Sequence, residues 1–276
     1  MDSTSTYIRK LHASRSELLQ RKGELYPEPS WVRITTITMT SKIGTDIDIP
    51  TFKANFKKRG GMIRIRNKHS KFGGFEWKMK DTSFYNQVTI NYTDEYSTKS
   101  VKLFPNGSVQ VAGCSNLVDC QRVATYISYV IKTVLELKEA PILEPPTIQM
   151  INTNFSLNCS VNLKKVIAKF EASGEQHFDV TFNPDKYSAV KIKFEPGPGM
   201  KRVTGSIFST GKVIVTGART LDEIVAAYDI INRVIGANER VAVSEKKESF
   251  DVFMGVKFED WVKVNPFGVG IKSIII

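Results

Sequence analysis

Three histidines, three cysteines and a surplus of lysine and arginine are the residues through which this chain could do chemistry. His12, His69 and His177 lie far apart and have no cysteine or carboxylate partner at a metal-ligand spacing. Cys114, Cys120 and Cys159 are odd in number and form no CxxC pair, which argues against a disulfide framework and against a structural zinc site. No Walker loop, GxGxxG, GxSxG or zincin motif is present. No enzymatic activity, cofactor or metal is therefore expected. What remains is charge: 39 Lys+Arg against 28 Asp+Glu give +11 and a pI near 9.4, which favours an anionic partner such as nucleic acid or a membrane surface. The basic run Lys57–Lys71 (KKRGGMIRIRNKHSK) fits either a phosphate-contacting arm or a solvated loop.

The elements that must position such groups come from a chain of 276 residues, 41% hydrophobic, enough for one large domain or two small ones. No run approaches the roughly 18 apolar residues of a bilayer span, and the first residues lack an apolar signal core, so an intracellular protein is expected.

Organisation is set by a duplication. Val101–Ile131 realigns on Gly205–Ile235 at an offset of 104: Phe104 meets Phe208, Gly107 meets Gly211, Val111 meets Val215, Gly113 meets Gly217 and Ile127 meets Ile231. A period this long reads as a duplicated domain half, far above solenoid repeats. Upstream, the strand pattern Trp31–Thr40 and the helix opened by Asp48, Ile49 and Pro50 recur as strand Ile148–Phe155 and helix Val161–Phe170, at an offset of 114. Tyr85–Ile90 matches Tyr187–Ile192 at 102. The first half thus holds about 12 extra residues, a difference surface loops tolerate, placed in the basic, glycine-rich stretch before Trp77.

In the second half, Phe178–Phe182, VKIKF, VTGSIFS and KVIVTG read as four strands, with a turn at Glu195–Gly199. Thr220–Ile235 closes it as a helix, Thr220 with Glu223 forming a capping box, and Leu117–Leu135 is its counterpart. The order β-α-β-β-β-β-α, twice, predicts an α+β fold of two antiparallel sheets joined edge to edge, with helices on one face. Residues 1–26, with Leu11, Leu18, Leu19 and Leu25, carry a helical pattern that stops at Pro27. In Lys212–Thr216, Val213 and Val215 share one face while Ile214 and Thr216 share the other. Neither face is strongly polar, so an apolar partner surface is implied for the uncovered one.

The strings NPDKY, IFSTGK and VTGA, in their strand order and within the duplication, resemble the repeat of the TATA-box-binding protein (TBP) core, well over residues 148–236 and more loosely over 31–137. The resemblance implies a pseudo-symmetric saddle: a curved antiparallel sheet lying along the DNA minor groove, with helices on the convex face for general transcription factors or RNA polymerase. It divides the chain into an N-terminal extension (1–30), a first repeat (31–140, with an insert near 57–83), a second repeat (147–237) and a C-terminal extension (238–276). The extension's Phe250, Phe253, Phe258, Trp261 and Phe267 are too apolar for a free tail.

Kinking of the minor groove by inserted rings is this family's known mechanism and comes with the resemblance. It assigns four wedges, Tyr85 and Phe104 in the first repeat and Tyr187 and Phe208 in the second. It makes Thr36, Thr38, Gln110, Ala112, Met150, Asn152, Ile214 and Thr216 the minor-groove floor. Lys186, Lys191, Lys193, Lys201, Arg202 and Lys212 would contact phosphates. The expected function is a transcription initiation factor that bends AT-rich double-stranded promoter DNA, in a nucleus or, for a large DNA virus, in a viral factory or virion, with no membrane partner. The alternative keeps the fold as a protein-interaction module. Departures bear on specificity: the family's base-reading asparagine is Thr36 and Met150 here, with Asn152 and Asn154 following on the same face as Met150. Two wedges carry a tyrosine hydroxyl where a dry ring is usual.

Overall fold

The computed structural model describes residues 4–20, 29–66, 74–80, 86–94, 98–114, 116–174, 177–236, 240–241, 252–253 and 256–257. In chain order its elements begin with α1 (Thr4–Gln20), β1 (Arg33–Lys42), α2 (Ile49–Lys58), β2 (Met62–Arg66), β3 (Gly74–Met79), β4 (Val88–Thr93), β5 (Thr98–Leu103), β6 (Ser108–Cys114) and α3 (Leu117–Leu135). They continue with β7 (Thr147–Ser156), β8 (Ser160–Val161), α4 (Leu163–Ala172), β9 (Asp179–Asn183), β10 (Tyr187–Phe194), β11 (Val203–Phe208), β12 (Lys212–Ala218) and α5 (Leu221–Ile235). The two-residue strands Arg240–Val241, Val252–Phe253 and Val256–Lys257 follow, the first of them pairing with β8.

These elements form two compact units, Thr36–Gln149 and Met1–Thr35 with Met150–Ile276. The duplication holds at element boundaries. β1 and α2 recur as β7 and α4 at an offset of 114 at both ends (33 to 147 and 42 to 156; 49 to 163 and 58 to 172), and β6 recurs as β12 at 104 (108 to 212 and 114 to 218).

In the first unit the sheet order is β2-β3-β4-β5-β6-β1, all antiparallel. Alternation puts Trp77, Ile90, Tyr92, Val101, Leu103, Val109, Val111 and Met39 on one face, all 2% exposed or less, under α3. Helix α2 starts at Asp48, whose carboxylate accepts the Thr51 N–H at 3.1 Å, with Pro50 in the first turn where no N–H is needed. Its buried Phe52 and Phe56 lie four residues apart on the face turned to α3. Each such side chain removed from water contributes about 1.5–3 kcal/mol.

The first half differs from the sequence expectation by one strand. Its extra residues are not all loop: Met62–Arg66 pairs with β3 as an added edge strand, pinned by a 2.8 Å ion pair between Arg64 and Glu76 across the pair. The alternation of MIRIR, once joined to GFEWKM, supplies a strand face that the basic composition concealed.

In the second unit the order is β7-β12-β11-β10-β9. Helices α4 and α5 cover the face carrying Val190, Ile192, Phe194, Val203, Ile207, Val213 and Val215. Gly205 lies on this face because a β-carbon there would stand 3.0 Å from Ile231 Cδ1 of α5. The capping box is present as read: Thr220 Oγ1 accepts the Glu223 N–H at 3.2 Å and the Glu223 carboxylate accepts the Thr220 N–H at 3.2 Å. Helix α1 packs along α5, burying Leu11 completely, joining Lys10 to Asp222 at 2.7 Å and stacking His12 on Trp31.

Candidate nucleic-acid interface

Opposite the helices each sheet presents a second face, and the duplicated glycines keep it in register. Gly113 and Gly217 have φ of +99° and +96°, and at each one strand gains a residue against its neighbour, so Ile37 meets Cys114 while Thr38 meets Ala112. Beyond this bulge the alternation resumes with the polar side chains outward.

In the second unit this open face carries Asn154 across from Ile214, Ile214 across from Ser206, and Thr216 across from Thr204. All but Ser206, which is 6% exposed, are half-buried, and Asn152 lies on the same side of β7. Met150, also half-buried, precedes them on that strand. Thr204 and Ser206 were not among the residues read from sequence, although the alternation in VTGSIF marks them. In the first unit Thr38 pairs with Ala112 and Thr40 with Gln110, and Thr36 lies on the same side of β1. The floor in both units is thus small, neutral and of mixed polarity.

Aromatic groups and cations stand toward the outer strands. Phe208 lies directly across from Ala189, and its ring meets Tyr187 edge to face, centroids 5.6 Å apart at 68°. Tyr187 is 37% exposed, and Lys191 Nζ sits 4.6 Å above its ring. Phe104 is half-buried in the turn closed by Gly107 N–H donating to its carbonyl at 3.1 Å, as Gly211 does to Phe208 at 2.9 Å. Tyr85 lies outside the described residues.

The six cations read from sequence are not equivalent. Lys191, Lys193 and Lys212 are exposed on strands with side chains on the open face, and Lys186 is exposed in the turn before β10. Arg202 is ion-paired to Asp179, and hydrogen bonding from Arg202, with help from His177, holds that carboxyl below its ordinary value. Lys201 is tied by its backbone N–H to Glu223 in the first turn of α5, 2.8 Å away.

Residues 145–237 match the family model described as transcription factor TFIID, or TATA-binding protein. This is a divergent TBP-like chain. A TATA-box-binding protein-like protein of Acanthamoeba polyphaga mimivirus is 28% identical across 74% of this chain and 65% of its own length. The TATA-box-binding protein-like 1 of Entamoeba histolytica is 28% identical across 32% of this chain and 37% of its own. The TBP-like chain therefore spans less than two thirds of either relative. The solved structure of Methanococcus jannaschii TBP superposes with a TM-score of 0.50 at 17% identity, covering 74% of this chain and 97% of that one, which shows the TBP fold. The matching family is one of non-enzymatic transcription factors. Among the described residues no helix is long and apolar enough to cross a membrane, and no group of three or more His, Cys, Asp and Glu could hold a metal.

Proposed function

We propose that this TBP-like transcription factor lays the open sheet faces along the minor groove of AT-rich promoter DNA and bends it by inserting aromatic rings. The observation that carries this reading is the Tyr187–Phe208 ring pair standing at the end of a neutral floor edged by Lys191, Lys193 and Lys212. A ring entering a base step replaces part of the lost stacking with apolar contact. Ile214, Ser206, Thr204 and Thr216 cover sugar edges that a charged side chain could approach only at a desolvation cost. The lysines neutralise phosphates and release counterions. Phe104 and Tyr85 take the same role in the first repeat. General transcription factors or polymerase dock on the helical side, where α3 exposes Val118 (74%) and Tyr129 (56%). The mimivirus relative supports a source in a large DNA virus and work in a viral factory or nucleus.

The test is binding and bending of short AT-rich and GC-rich duplexes across a salt series, by anisotropy and end-to-end energy transfer, with a Phe104→Ala/Phe208→Ala variant alongside. A steep salt slope, a preference for AT-rich duplex and loss of bending in a folded variant are expected. A folded protein that binds no duplex at low salt would replace this function with a protein-interaction module.

A further inference from the structure

Between the two repeats a pair of positive charges has changed strands. In the second repeat Lys191 and Lys193 lie on the open face of β10, opposite Thr181 and Asp179 of the outer strand β9. At the offset of 102 their counterparts on β4 are Thr89 and Asn91, both uncharged. The outer strand reverses the loss. Lys78 of β3 stands directly across from Asn91, and Lys80 donates its backbone N–H to the Thr89 carbonyl at 2.8 Å. Lys78 thus takes the place that Asp179 holds in the second repeat, and Lys80 that of Thr181.

Both lysine side chains are exposed, and neither is ion-paired to a described residue. The nearby Glu76 is engaged instead by Arg64 of the added strand β2, at 2.8 Å. That strand gives β3 a hydrogen-bonded neighbour on its outer side, so Lys78 stands on an interior strand and not on a fraying edge, with Lys80 just past its end and held to β4 by its backbone N–H.

We infer that Lys78 and Lys80 are the phosphate-contacting cations of the first repeat, one strand further out than their counterparts in the second. The inference rests on the proposed DNA function. Adjacent strands are about 4.8 Å apart, so the backbone of a bound duplex is met farther from the neutral floor in this repeat. The matching occupant is a nucleic-acid phosphate backbone, because what is retained between the repeats is a doublet of exposed ammonium groups beside the floor while its sequence position is not.

The experiment compares salt slopes of duplex binding for wild type, Lys78→Gln/Lys80→Gln, Lys191→Gln/Lys193→Gln, and Lys164→Gln/Lys165→Gln as a control of equal charge change, at two exposed lysines in the first turn of α4. Each lost phosphate contact lowers the slope by about 0.9. The first two variants should each lose roughly 1–2 units of slope, the control much less, with melting temperatures unchanged. Adding Asn91→Lys to Lys78→Gln/Lys80→Gln should restore part of the slope, which a merely structural lysine would not allow. If Lys78→Gln/Lys80→Gln behaves as the control while Lys191→Gln/Lys193→Gln loses slope, the inference is overturned and the DNA function stands. If no variant changes the slope, both fail.

Discussion

Lys99 and Val203 occupy the same position of the duplicated sheet, and both are buried, at 1% and 0% exposure. Each backs onto the bulge glycine of its repeat, Gly113 for Lys99 and Gly217 for Val203. The lysine is accommodated by a network that its counterpart lacks. Its ammonium lies 2.9 Å from Asp94 and 3.1 Å from Asp119, while Arg122 also reaches Asp94 at 3.0 Å. Removing one member of a buried ion network strands the others. Lys99→Met should therefore destabilise the protein by about 3–5 kcal/mol in denaturant unfolding. Adding Asp94→Asn should recover part of that loss, and simple additivity of the two changes would refute the coupling.

Gly211 has φ of +80°, and a β-carbon there would lie 1.8 Å from the Cys159 carbonyl oxygen. Gly211→Ala should cost at least about 2 kcal/mol, from left-handed backbone strain and backbone collision together. Gly44→Ala, where a β-carbon meets nothing within 4 Å, should be close to neutral. Thermal melts of the two variants make the comparison.

Tyr187→Phe keeps the edge-to-face contact with Phe208 and removes only a hydroxyl from a 37% exposed ring. Stability should stay within about 0.5 kcal/mol. Affinity for AT-rich duplex should hold or rise, because no hydroxyl is stripped of water on insertion. A tenfold weaker complex would show instead that the hydroxyl bonds the DNA.

Asp179 faces Lys193 and binds Arg202, so it is the carboxylate that opposes phosphate approach on this part of the face. Asp179→Asn should raise duplex affinity and steepen its salt slope. With its carboxyl held below 3.8, Asp179 stays ionised down to acid pH, so wild-type affinity should show no contribution from it between about pH 5 and 8.

The Asp48 carboxyl is lowered from 3.8 by the Thr51 hydroxyl first and the Thr51 N–H second. A depressed folded value means that this cap stabilises fully above the unfolded pKa and stops stabilising as pH falls through the folded one. Asp48→Asn should flatten the acid end of the stability curve below about pH 4 and leave it unchanged in shape at neutrality, read by chemical denaturation at stepped pH.

Much of this was legible in the sequence because local signals agreed with the duplication. Helix α3 begins and ends at Leu117 and Leu135 as read, and Thr220 caps α5 through Glu223 as read. Strand alternation separated Val213 and Val215 from Ile214 and Thr216, and the family resemblance assigned the valines to the helical side, where they are buried. Strand β2 was hidden because arginines alternating with Met and Ile in MIRIR read first as a charge run. The ionic cluster around Lys99 was out of reach, since Asp94, Lys99, Asp119 and Arg122 come from a strand end, a strand and a helix whose convergence only the fold defines. Lys78 and Lys80 escaped notice for a related reason: their counterparts are Asp179 and Thr181, so residue identity did not carry the equivalence and only register could.

Helix α1 lies on α5, with Lys10 joined to Asp222. At the offset of 104 the position of Asp222 is Val118 and that of Arg233 is Tyr129, both exposed on α3. Among the described residues, a ligand that recognises this kind of helix surface would meet it occupied in one repeat and exposed in the other. Duplication alone would give the chain a valency of two for such a ligand. With the N-terminal helix packed on α5, such a ligand would find one site, on α3.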